Sequence, residues 1–136
     1  MQNFLIRCDA NKKNGFGHFS RCLNLARGIK HKLPKAKIVF LGDYDNVPTQ
    51  LIEKYNMVKK PLFDLINEEV NFARGFDYFI LDNYFINQSY INLYCKEPIK
   101  FIKIDDFNDL NLEQVEVVVN FCLRGTSIKY KSKKQY

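Results

Sequence analysis

The sequence predicts an α/β fold: a Rossmann-like, doubly wound parallel sheet. Two observations predict it. Short apolar runs of strand length recur at residues 4–6, 37–41, 77–81, 99–104 and 115–119. Between them lie segments whose apolar residues fall three and four apart, which places them on one face of a helix. Strands that alternate with helices pair in parallel, and the crossover helices cover both faces of the sheet. Such crossovers are right-handed, and ligands bind beyond the carboxyl ends of the strands.

The elements follow in order. Residues 2–8 hold the run Phe4-Leu5-Ile6 and end before Asp9, a buried strand. Residues 9–17 are polar and contain Gly15 and Gly17, hence a loop. From His18 onward Phe19, Cys22, Leu23, Ala26, Ile29 and Leu33 share one helical face, and Pro34 ends the helix. Residues 37–41 (KIVFL) form the second strand, closed by Gly42. A short helix runs to Tyr55 with Thr49 as its cap, and a third strand is read at 57–60. Residues 61–73 read as a helix stopped by Gly75. A strand at 77–81 (DYFIL), a helix at 87–95, and strands at 99–104 (IKFIKI) and 115–119 (VEVVV) complete the pattern.

The totals narrow the class. A chain of 136 residues with 46% hydrophobic residues can bury one sizeable core, expected here over residues 1–122. Much of the net charge of +6 sits in the tail at Lys129, Lys131, Lys133 and Lys134, so residues 123–136 are expected to be poorly ordered or a linker. No nucleic-acid-binding motif occurs, and no nucleic-acid partner is expected. The cysteines include no C-x-x-C pair, and the only histidines are His18 and His31, so no metal site is expected. Cys8, Cys22 and Cys122 read as buried thiols of a reducing cytoplasm. The stretch MQNFLIRCD lacks the basic and long apolar regions of a signal peptide, so none is expected, and no apolar run approaches the roughly 20 residues that span a bilayer.

The carboxyl ends of the strands collect the polar residues. Arg7 and Asp9 follow the first strand, Asp82, Asn83 and Tyr84 the fourth, Asp105 and Asp106 the fifth, and Asn120 the last. The stretch NGFGH stands between the first strand and its helix. Glycine lets backbone N–H groups approach a ligand, and a helix amino terminus carries unpaired N–H groups and partial positive charge. Together they suit a phosphate or another oxyanion at Gly15, Phe16 and Gly17, although a tight turn accounts for the same residues. The stretch lacks the third glycine of a dinucleotide fingerprint and the Lys-Ser/Thr of a P-loop, so no cofactor is expected. The positive helix end opposes protonation of His18, so a neutral imidazole there can take a proton from water; capping of its own helix is the alternative. Arg7 and Arg21 either pair with carboxylates or hold substrate oxygens. Asp82 either orients a sugar hydroxyl or caps the next helix, and Tyr84 either stacks on a sugar or bonds to it. Asp105 and Asp106, placed among the substrate-binding candidates, either bind a metal or, as adjacent acids in a loop more often do, cap a turn.

The blocks IRCDAN…GFGHFSRCLNLA, FILDNY, IKIDDF and VVVN resemble the amino-terminal domain of the pseudaminic-acid pathway UDP-sugar hydrolases, which group with the spore-coat polysaccharide biosynthesis family in the GT-B superfamily. The similarity runs along most of residues 2–122, and its first block is the specific one. The resemblance implies the amino-terminal half of a GT-B fold. It also implies hydrolysis of UDP-2,4-diacetamido-2,4,6-trideoxy-β-L-altropyranose: water attacks the anomeric carbon, UDP leaves and the configuration inverts, without a metal. At matching positions it implies His18 as general base, Gly15-Phe16-Gly17 along the phosphates, and Asp9, Asp82 and Tyr84 positioning sugar or water. The chain departs from the family at Asn83, where members often carry histidine. A GT-B enzyme has two such domains with the site between them. A carboxyl-terminal domain is therefore expected as partner, in cis or as a separate chain, with weak or no turnover from this chain alone. A GT-B glycosyltransferase module, or a non-catalytic half of a split enzyme, is the alternative.

Overall fold

A computed structural model describes residues 1–122 and 127–136. Six strands form one sheet: β1 (Asn3–Arg7), β2 (Lys37–Leu41), β3 (Val58–Lys60), β4 (Tyr78–Leu81), β5 (Lys100–Ile104) and β6 (Val117–Val119). Every pairing is parallel and the order is β3-β2-β1-β4-β5-β6. That is the doubly wound order, in which the winding reverses between β1 and β4. The predicted fold class is the one observed.

Among the described residues four helices cover the sheet: α1 (Gly17–Lys32), α2 (Asn46–Lys54), α3 (Ile66–Ala73) and α4 (Gln88–Cys95). Side chains alternate across each strand, so one strand serves two cores. Phe4, Ile6 and Cys8 pack with Phe19, Cys22, Leu23 and Ala26 of α1 and Ile52 of α2. Leu5, Phe79 and Leu81 face the other way, toward Val70 and Ala73 of α3 and Ile91 and Tyr94 of α4. Glu69 of α3 is buried in that second layer and accepts hydrogen bonds from Tyr94, at 2.6 Å, and Tyr90, which ties α3 to α4.

Three details differ from the sequence expectation. The helix read from residue 61 begins at Ile66, and Phe63 ahead of it packs its ring 5.3 Å from that of Phe72. The second helix starts at Asn46 with Asp45 in the cap position, and Pro48 sits in the first turn, where its missing N–H has no partner to lose. The third concerns residues 123–136, expected to be poorly ordered or a linker; of these, 123–126 lie outside the described residues. Residues 133–136 run beside β6: Val118 N–H donates to the Lys134 carbonyl at 2.8 Å, and Tyr136 N–H to the Val118 carbonyl at 2.8 Å. Tyr130 anchors the segment, buried with its hydroxyl donating to Asp105 at 2.9 Å. Its lysines lie outward, Lys133 pairing with Glu116 at 3.3 Å.

Gly42, just past β2, is required by a close approach. A Cβ there would stand 1.9 Å from the carbonyl oxygen of Cys8, a backbone atom that cannot swing aside. Gly42→Ala is expected to lower stability by about 2 kcal/mol or more, read from the denaturant midpoint at unchanged slope.

Candidate functional site

The alternation that divides the core also divides the polar residues at the carboxyl edge. Asp82 continues the face of Ile80, toward α1, and Asp106 continues the face of Ile104. His18 and Arg21 lie one turn apart at the start of α1 and reach over the same edge. These four side chains meet. His18 Nδ1 lies 2.6 Å from Asp82 Oδ1. Arg21 grips Asp82 through Nε at 2.5 Å and Nη2 at 2.6 Å. It also grips Asp106 through Nη1 and Nη2, both at 3.0 Å. The Cys22 thiol, beneath, donates to Asp82 Oδ2 at 3.6 Å.

Tyr84 closes one side. Its hydroxyl donates to Asp106, and its ring meets the His18 imidazole edge-on with centroids 4.1 Å apart. Phe107 packs against the Tyr84 ring at 5.2 Å, and Phe121 lies under the Arg21 guanidinium at 6.0 Å. Tyr84, Phe85, Phe107 and Phe121 are all exposed, as is Phe16 at the mouth of α1. Tyr84, Phe107 and Phe121 thus set exposed rings beside the charged centre.

The electrostatics follow from burial against pairing. The Asp82 side chain is 0% exposed, and burial alone would favour its neutral form. The bonds from Arg21 and His18 outweigh that and hold the carboxyl below its ordinary range. Asp106 likewise loses hydration yet is held down to about 2, chiefly by Arg21 and Tyr84. Burial and the bond to Asp106 push the Tyr84 phenol up to about 12. Arg21 remains a cation, since its bonds to Asp82 and Asp106 exceed its loss of hydration.

Asp82 is fully occupied by Arg21, His18 and Cys22, and a carboxylate beside Nδ1 sets the imidazole tautomer. The proton rests on Nδ1 and points at Asp82, which leaves Nε2 as the free basic nitrogen. No hydrogen bond to Nε2 occurs among the described residues.

The remaining expected site residues lie apart from this cluster. Arg7 and Asp9 follow the other face of β1, where Arg7 Nη1 donates to Asp9 at 2.8 Å. Asn83 Nδ2 also donates to Asp9, at 3.1 Å, and the Asp43 backbone N–H does so at 2.9 Å. Asp9 therefore joins the loops after β1, β2 and β4. Asp105 points away from Asp106; it accepts from Tyr130 and from the Asn108 backbone at 2.7 Å. Gly15 takes φ of +72°, and its N–H closes the loop onto Asn11 at 2.8 Å. Phe16 occupies the cap position of α1 without a side-chain cap bond, and Gly17 opens the helix. His18 does not cap its own helix; its ring is committed to Asp82.

Several contributors escaped the sequence reading. Cys122 is exposed rather than buried, because β6 ends at Val119, and its thiol donates to Asp106 at 3.3 Å. Cys8 and Cys22 are buried as expected. Lys103, in mid-strand on the face away from α1, is buried with Nζ donating to the Ile104 carbonyl at 2.5 Å and 3.7 Å from Asp105. A lysine inside IKFIKI was the available signal. No group of three His, Cys, Asp or Glu side chains among the described residues is placed to hold a metal ion. No helix among them is long and apolar enough to cross a membrane. Comparison of the chain with protein-family models gives no match, and comparison with curated proteins gives none.

Two stability predictions follow from the cluster. Arg21→Gln leaves a buried carboxylate without its cation and is expected to cost about 3–5 kcal/mol in chemical unfolding. Asp82 and Asp106 are both held below their unfolded values, so they stabilise the fold above about pH 4. That contribution is lost as pH falls toward about 2. Acid unfolding curves of Asp106→Asn should show a shallower loss over that window than the parent chain.

Proposed function

We propose that the chain is the amino-terminal domain of a nucleotide-sugar hydrolase. It would release UDP from UDP-2,4-diacetamido-2,4,6-trideoxy-β-L-altropyranose with anomeric inversion, in pseudaminic acid or related surface-polysaccharide biosynthesis in the cytoplasm. The observation that carries the reading is the His18–Asp82 pair, set at the point where the winding of the sheet reverses. Ligands of doubly wound sheets bind at that point. The motif resemblance supplies the substrate class.

In this reaction His18 Nε2 takes a proton from water as the water oxygen forms its bond to the anomeric carbon. The bond from that carbon to the diphosphate oxygen breaks on the opposite face, and UDP leaves with the electron pair. Asp82 holds the Nδ1 proton, keeps the ring oriented and stabilises the imidazolium, as a carboxylate does behind any histidine base. The proton then passes to solvent. The N–H groups of Phe16 and Gly17, at the uncapped start of α1, would face the diphosphate, while the Gly15 N–H closes the loop onto Asn11. Arg7, Asp9 and Asn83 brace the loops around this space rather than standing beside His18.

The exposed rings of Tyr84, Phe107 and Phe121 beside the cluster support a second GT-B domain, in cis or as a separate chain, closing over the site. The same arrangement suits a second reading, a GT-B glycosyltransferase module in which His18 deprotonates an acceptor hydroxyl instead of water. With a carboxyl-terminal domain supplied, UDP release from the diacetamido substrate is expected, with free sugar as the other product. His18→Asn should lower the rate about 100-fold or more at unchanged thermal stability. A sugar conjugate in place of free sugar selects the transferase, and undiminished release by His18→Asn removes the base.

A further inference from the structure

We propose that Asp106, acting through Arg21, sets how readily His18 takes up a proton. Asp106 and Arg21 are then positioning residues for the imidazole, not ligands of the substrate. The inference uses the reading of His18 as base only for its catalytic consequence; the electrostatic claim stands on the cluster itself.

The argument is one of charge and sharing. Asp82 is the only carboxylate that touches His18 among the described residues, and Arg21 takes both of its oxygens. Left with Asp82 alone, Arg21 would cancel that charge, and little would remain to hold an imidazolium. Asp106 supplies the second anion, bound to Arg21 by two bonds of 3.0 Å. With neutral His18 the cluster of one guanidinium and two carboxylates carries one net negative charge. A proton arriving at His18 brings it to neutrality.

The groups packed around the ring do not alter that balance. From its own helix come Arg21 and the neutral Cys22 thiol, kept protonated by the neighbouring Cys8 thiol and by burial. From the end of β4 come Asp82 and the neutral Tyr84. From β5 comes Asp106, and from beyond β6 the Cys122 thiol on Asp106. Lys103 and Asp105 lie on the opposite face of β5, 3.7 Å apart, and offset each other. Arg21, with Nη2 3.4 Å from Nδ1, and the partial positive charge at the start of α1 oppose the proton. Arg21 also has little left for a substrate: Nε, Nη1 and Nη2 are all engaged inside the protein.

Two single substitutions should therefore move His18 in opposite directions. In the full chain carrying His31→Gln, His18 is the sole histidine, and its ring signals can be followed by NMR against pH. Asp106→Asn is expected to lower the midpoint of His18 protonation, and Arg21→Gln to raise it, each by about one pH unit. Roles confined to holding the fold would not give opposite signs. Midpoints that stay in place, or move the same way, overturn the proposal. If Arg21→Gln does not fold, Asp106→Asn decides alone: a lowered midpoint supports the proposal, and an unmoved or raised one overturns it. Opposite shifts without UDP release by the two-domain assembly would reject the hydrolase and leave this inference intact. UDP release that depends on His18, with midpoints unmoved, would do the reverse.

Discussion

The Arg21 guanidinium is the constraint on which the carboxyl edge depends. It spans from the first turn of α1 to the ends of β4 and β5, and it binds a carboxylate from each. Asp82 is removed from water, and a buried charge of that kind is tolerated only where donors surround it. Arg21 provides those donors in a planar fork that a lysine would not reproduce. The same bonds fix the orientation of His18, because the imidazole and the guanidinium share one carboxylate. Arg21 thus both stabilises the buried carboxylate and places the imidazole.

The parallel sheet sorts everything else. Because side chains alternate along a strand, neighbouring residues at its end serve opposite faces. Asp82 turns to α1 while Asn83 turns to Asp9; Asp106 joins Arg21 while Asp105 joins Tyr130. One short edge thereby holds the His18–Arg21–Asp82–Asp106 cluster on one face and a loop-bracing cluster on the other. The boundary between them is the pleat itself.

Most of the fold was legible. Strands such as KIVFL and the helix from Phe19 to Leu33 carry their period openly, and their order dictates the topology. The start of α3 was not legible, because Pro61 permits a helix there and the Phe63–Phe72 contact is tertiary. The lysine-rich end read as solvated by composition, while Tyr130 and backbone pairing to β6 come from partners distant in sequence. Of the site, the shared edge could be foreseen from topology. Which residues converge could not: Arg21 reads as an ordinary helix-surface cation until the sheet brings two carboxylates to it. The family resemblance named His18, but the partner of its Nδ1 is a fact of geometry.

The pairing of residues 133–136 with β6 has a bearing on association. A parallel sheet has two borders whose N–H and C=O groups invite strands from other molecules. Here the last segment of the chain lies along one of them. The opposite border is β3, three residues long, of which two are lysines. A strand so short and so charged is a poor template for further growth. Self-assembly by sheet extension is thus discouraged at both margins, by a covering segment on one side and by brevity and charge on the other.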